Sequence, residues 1–294
     1  MKTKILGTGL TGLVGSRIVE LLADRYEFEN ISYENGIDIT NKEQVEKIVI
    51  ASTAGIVLHL AAKTDVDGCE KDKLLGINGG AWQINVEGTR NLVEVCQKTG
   101  KKIIYISTDF VFDGENCPAD GYKEENIPNP INWYAQTKYE GEKIVQSCQV
   151  PFLICRIAFP YRSSFAGKKD FVAAIRAKLE NKEKIAVVKD EFVTPTFIDD
   201  LAFAIDLLTK NNCTGIYHLV GSSFHTPIEA AEMVADTFGL DKNLIGKTTR
   251  KEYYQGRAPR PFSLKLKNDK LARLSYKMST FKEGLDKVKF QIGK

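Results

Sequence analysis

Tyr134 and Lys138 stand four residues apart, and the triplet Ser107-Thr108-Asp109 ends 25 residues before the tyrosine. A phenol with an ordinary pKa near 10 is a poor acid or base at neutral pH. A cation one helical turn away stabilises the phenolate and lowers that pKa. A lysine so placed can also bond the ribose of a nicotinamide nucleotide. Thr108 at a strand end can donate to a carbonyl oxygen, with Asp109 beside it. With hydride from a nicotinamide, this set reduces a carbonyl group, and Tyr134 supplies the proton. A Y-x-x-x-K pair alone is common on helix surfaces, so the surrounding elements must carry the reading.

Residues 102–107 form an apolar, β-branched run that stops at the triplet. They read as a buried strand of a parallel sheet, delivering Ser107, Thr108 and Asp109 to the ligand crevice at its carboxyl end. The segment 134–148 reads as the next helix, with Tyr134 and Lys138 on one face. Near the amino terminus Lys4–Leu6 is a short strand, followed by Gly9, Gly12 and Gly15 and then an apolar period over 16–25. Strand, glycine loop and helix in that order form a dinucleotide fingerprint. Gly9 permits the turn, Gly12 the approach of backbone to pyrophosphate, and Gly15 the packing of helix on strand. Residues 30–33 read as strand two, ending at Glu34 near the ~20-residue offset of a ribose-binding acid. A carboxylate there bonds a 2′-hydroxyl and repels a 2′-phosphate, so NAD(H) is favoured over NADP(H). Gly55–Leu60 is a third strand, closed by the small residues Ala61-Ala62. His59, inside that apolar run, reads as a core histidine, and Asn85 as a buried side chain with backbone bonds to make.

The alternation β-α-β-α-β-α-β implies a doubly wound α/β fold with a parallel, Rossmann-type sheet. The rhythm changes after residue 157. Residues 1–157 read as a nucleotide-binding domain, to which 195–210 return, and 158–294 as mainly a smaller α/β substrate-binding domain. The last fifty residues read as basic and loop-rich.

The chain has 294 residues, 27% of them charged, with a formal charge of +3 and both signs interspersed. This charge pattern points away from nucleic acid and membrane partners. Six scattered cysteines without a C-x-x-C pair imply neither metal site nor disulfide framework, and suggest a reducing cytosol. Lys2-Thr3-Lys4 is followed by two apolar residues and then glycine, which is no secretory leader. No stretch approaches the ~20 apolar residues of a membrane span.

Gly9/Gly12/Gly15, Leu60-Ala61-Ala62, Asn85, Ser107-Thr108-Asp109 and Tyr134/Lys138 together resemble an extended short-chain dehydrogenase/reductase. Within that superfamily Ser107–Gly114 resembles the signature of the dTDP-4-dehydrorhamnose reductases, which usually carry tyrosine where Phe110 stands. The likeness continues in Asp38-Ile39-Thr40, in 194–202, in 215–218 and in Arg257–Pro261. It implies reduction of a 4-keto-6-deoxy sugar nucleotide by NAD(P)H. Tyr134 would be the proton donor and Lys138 its modulator and ribose contact, with Thr108 and Asp109 the polarisers of the carbonyl. Phe110 would line the substrate side, and Arg260 would contact the diphosphate. Leu13, Val14, Asp38, Ile39 and Lys63 join the glycines and Leu60–Ala62 on the cofactor side. Leu13-Val14 departs from the Gln-Leu usual in those reductases and is closer to epimerases. The residue after Asp109 is not the Glu of the 4,6-dehydratases. Two alternatives stay open: a sugar-nucleotide epimerase, and a non-catalytic subunit similar to the regulatory β subunit of methionine adenosyltransferase. A homodimer is compatible with all three readings.

Overall fold

The computed structural model describes residues 2–293. Its centre is a six-stranded sheet, every neighbouring pair parallel. The strands are β1 (Thr3–Thr8), β2 (Tyr26–Ile31), β3 (Ile56–His59), β4 (Lys102–Thr108) and β5 (Phe152–Ile157), with a sixth at Gly215–His218. Their order is β2-β1-β3-β4-β5, then 215–218. The chain reverses direction across the sheet between β1 and β3, and that switch point is where open α/β sheets bind ligands. The helices of this part are α1 (Leu13–Leu22), α2 (Lys42–Ala51), α3 (Val66–Asp72), α4 (Gly80–Trp82), α5 (Gly88–Thr99) and α6 (Trp133–Gln146). A π-turn over Gln83–Glu87 joins α4 to α5.

Strand two starts four residues earlier than its sequence suggests. Glu27 and Glu29 interrupt the apolar pattern, but β2 is an edge strand, and both carboxylates pair with Lys4 of β1 at 3.3 Å. The strand therefore ends at Ile31, and Glu34 falls on an exposed 3₁₀ turn, Tyr33–Asn35.

The remaining elements are β6 (Pro160–Tyr161), α7 (Phe171–Glu180), β7 (Ile185–Val188), β8 (Thr196–Phe197), α8 (Ile198–Lys210), β9 (Gly215–His218), α9 (Pro227–Phe238), β10 (Ile245–Thr248), α10 (Arg250–Tyr253), α11 (Asp269–Ala272) and α12 (Phe281–Ile292). β6 pairs with β8, and β7 with β10, in two small parallel sheets. α8 lays Ile198, Leu201, Ile205 and Leu208 into the core formed with Ile5, Ile18 and Leu22, so this segment covers one face of the main sheet. β9 extends the same sheet, and Leu271 and Met278 also enter that core. The other face is closed by Val45, Val49, Leu92, Val95 and Val145 against Val57 and Ile103.

The last fifty residues are more regular than expected. α12 buries Phe281, Leu285 and Val288, one stripe at helical spacing, against Val234 of α9 and Phe197. Thr280 opens it with a capping box to Glu283. The lysines on its outer face mask the pattern in the sequence.

Candidate active site

The carboxyl ends of β1, β3, β4 and β5 surround a cleft of about 550 Å³. On one side lies the glycine loop. Gly9 has φ +66°, and a Cβ there would sit 2.8 Å from the Ala61 nitrogen; a Cβ on Gly15 would sit 2.3 Å from the Gly9 carbonyl oxygen. Gly12 is the N-cap of α1, and no side chain caps it. The first-turn N–H groups are thus left to an anion. The Thr8 hydroxyl accepts from the Ala61 N–H at 3.0 Å and meets His59 Nδ1 at 2.7 Å, which locks the ends of β1 and β3 together. Burial holds His59 at a pKa of about 3, neutral, as its core placement implies. Asn85 Oδ1 accepts from the Lys63 N–H at 2.8 Å, and its amide donates to the Lys63 carbonyl and to Thr137 of α6.

On the other side are the groups that can move a proton. The Thr108 hydroxyl donates to Asp109 Oδ1 at 3.1 Å. Asp109 is 2% exposed and its Oδ2 has no partner. Burial pushes its carboxyl up to about 7, moderated by the Thr108 bond. Asn132 caps α6 by accepting from the Ala135 N–H at 2.8 Å, which sets Tyr134 in the first turn. Burial pushes the Tyr134 phenol well up, while the adjacent Thr108 hydroxyl pulls it down and the Asp109 carboxylate pushes it up. Phe110 meets the Tyr134 ring edge-on, with centroids 6.0 Å apart. Lys138 donates to the Ile106 carbonyl at 2.8 Å and lies 4.1 Å from the Tyr105 ring, and burial brings it down to about 7. Its ammonium is thus bonded to a backbone carbonyl of β4.

Gly9, Gly12, Leu13, Val14, Gly15, Leu60, Ala61, Ala62, Thr108, Asp109, Phe110, Tyr134 and Lys138 all line this cleft. Five expected residues do not. Glu34 stands on its exposed turn beyond β2. Asp38 accepts from the N–H and hydroxyl of Thr40, a local turn, and Ile39 is buried against Gly88. Lys63 turns to Asp72, at 2.6 Å, because that carboxylate is within reach of its ammonium. Arg260 donates to Asp67 at 2.9 Å and lies over the Tyr254 ring, so its charge is already paired. Ser107, the first residue of the strand-end triplet, also lines the cleft, as do Phe159 and Pro160, which sequence reasoning passed over. Ser107 Oγ is buried without a partner. Phe159 follows the end of β5 with φ 41°, a conformation rare outside glycine and concentrated at functional sites. Its position past a central strand end was the available signal.

The glycine cradle, the uncapped helix start and the two orphan oxygens fit a dinucleotide and a carbonyl substrate. The chain matches, over residues 3–292, the family described as the RmlD substrate binding domain. The dTDP-4-dehydrorhamnose reductase of Bacillus anthracis str. Ames, in complex with NADP, superposes with a TM-score of 0.89 at 30% identity, covering 99% of this chain and 100% of that one. The dTDP-4-dehydrorhamnose reductase of Aggregatibacter actinomycetemcomitans is 28% identical over 225 residues, 74% of this chain and 73% of that protein. Methionine adenosyltransferase 2 subunit beta of Bos taurus is 28% identical over 272 residues, 87% of this chain and 78% of its own length. With a family match across nearly its whole length and the cleft built from the residues that carry the likeness, the chain belongs to the RmlD substrate-binding-domain family of extended short-chain dehydrogenases/reductases.

Proposed function

We propose that this chain reduces a 4-keto-6-deoxy sugar nucleotide with NAD(P)H. The observation that carries the reading is the convergence of Thr108, Asp109, Tyr134 and Lys138 on one cleft that also contains the glycine cradle. When bound, NAD(P)H supplies the hydride. The uncapped first turn of α1 would hold the pyrophosphate, and Lys138 would bond a ribose hydroxyl. Tyr134 gives its proton to the carbonyl oxygen. Thr108 donates a hydrogen bond to that oxygen in place of Asp109 Oδ1. Asp109, with a pKa of about 7, is protonated in part at neutral pH and can donate from its free oxygen as well. Leu60, Ile157 and Phe159 give the cleft an apolar wall.

The B. anthracis relative is a complex with NADP. Glu34 lies past the strand end, which removes the geometry that favoured NAD(H), so both nucleotides belong in the assay. The likeness to the bovine β subunit favours a regulatory role as a second reading, but the intact proton-transfer set supports chemistry. A cytosolic enzyme fits the six free thiols, and sedimentation velocity would read a homodimer. The decisive measurement is NADH and NADPH oxidation with a dTDP-4-keto-6-deoxyhexose. Net oxidation is expected, which an epimerase or a regulatory subunit does not give. Tyr134→Phe should lower kcat by about 10²–10⁴; equal rates for variant and wild type would refute the role of Tyr134.

A further inference from the structure

α6 places a third ionisable group on the face of Tyr134 and Lys138, another four residues along. Glu142 is fully buried beneath them. Arg156 of β5, 1% exposed, meets it with two bonds, Nε to Oε1 at 2.9 Å and Nη2 to Oε2 at 2.8 Å. The guanidinium lies over the Phe112 ring, and its Nη1 is 3.5 Å from His218 Nε2. Both charges are therefore fixed in place. Replacing such a buried pair with apolar side chains of similar volume is often neutral or stabilising, so packing is a poor account of it.

Lys138 supplies a better account. Its ammonium bonds no carboxylate; its partners are the Ile106 carbonyl and the Tyr105 ring. The titratable groups around it are His59 on β3 and Tyr105 on β4, both held uncharged by burial, and Tyr134 and Glu142 on its own helix, with Arg156 on β5 behind Glu142. Asp109 shares the cleft, with burial pushing its carboxyl up to about 7, and Glu142 is the carboxylate whose field acts on Lys138 to favour the charged form.

We propose that Glu142 and Arg156 are a positioning pair for the reaction: Glu142 supplies the counter-charge that keeps Lys138 an ammonium beneath Tyr134, and Arg156 fixes the carboxylate so that it cannot capture that ammonium. The proposal rests on the roles given above to Tyr134 and Lys138. Removing the carboxylate leaves the Lys138 cation without its compensating field, so the lysine gives up its proton at lower pH.

The test is ¹³C NMR of lysine-labelled full-length protein saturated with NADPH, titrated from pH 5 to 9. The Lys138 signal is assigned by its loss in Lys138→Met. Glu142→Gln should move the Lys138 midpoint down by about half a pH unit or more. The doubly neutral Glu142→Gln/Arg156→Met, which leaves no lone buried charge and so protects the fold, should move it the same way by less, because the guanidinium behind the carboxylate goes too. The basic limb of kcat/KM should move with it. A midpoint unchanged in the folded double variant overturns the proposal, because a pair that only supports the fold would leave it there. The NMR midpoint does not depend on turnover, so failure of the reductase reading and failure of this one are separable.

Discussion

Thr108 and Asp109 share a single hydrogen bond, which leaves one oxygen of a buried acid facing the cleft without a partner. Beside them Lys138 is a buried amine at a pKa of about 7. Both departures come from desolvation, and both lower the stability of the fold at neutral pH. The direction for Lys138 is definite. Its folded pKa lies below the unfolded value of about 10.4, so the unfolded chain binds the proton first as pH falls. Stability is lost between about pH 10 and 7 and then levels off. Lys138→Met should therefore gain Tm relative to wild type as pH drops from 10 to 7, with a flat difference below that, in calorimetry across the range. A difference independent of pH would show that the amine is not desolvated. Phe110 packs edge-on against Tyr134. Phe110→Tyr restores a hydroxyl near Thr108 and should change KM for the sugar nucleotide more than kcat.

At the scale of elements, two halves of one motif do different work. Thr108 and Asp109 face the cleft, whereas Asp113 turns inward. Its carboxylate accepts from Tyr122, Asn116 and Asn129, and its carbonyl and that of Gly114 accept from the N–H groups of Phe262 and Ser263. The second half of the motif thus anchors the carboxy-terminal segment beside the site. The glycine loop works through contact distance. Gly15→Ala would drive a methyl group to 2.3 Å from the Gly9 carbonyl oxygen and force the loop away from α1. NADPH binding, followed by fluorescence, should weaken at least about tenfold, since the loop can no longer present its backbone to the pyrophosphate. Retained affinity would mean that the loop tolerates the shift.

Across the whole molecule, the two halves are tied by charge as well as by packing. Arg17 of α1 grips Asp199 of α8 with bonds of 2.6 and 2.7 Å, and Gln291 of α12 donates to the same carboxylate at 2.7 Å. Asp200 accepts from the Ser279 N–H and from Lys287, which holds the start of α12. With α8 and β9 inside the core of the main sheet, the carboxy-terminal part should not unfold by itself. Leu285→Ala, which opens a cavity beneath α12, should cost about 2–5 kcal/mol in urea denaturation and keep a single transition. Two separated transitions would show that the halves are independent.

The local chemistry of this protein is legible in the sequence. The strand–glycine–helix order, the strand ending at Thr108-Asp109 and the spacing of Tyr134 and Lys138 depend on near neighbours and on 2- and 3.6-residue periods, which a linear string records. The tertiary structure decided what depends on distant partners. Lys4 makes an edge strand of residues that look too acidic for one, and so moves Glu34 off the strand end. Asp67 and Asp72 take up Arg260 and Lys63. Phe159 reaches the cleft through a backbone conformation that no sequence period announces. Above all, the pairing of Glu142 with Arg156 and the bond from Lys138 to Ile106 arise because α6 crosses β4 and β5, and only that crossing fixes which charges Tyr134 and Lys138 feel.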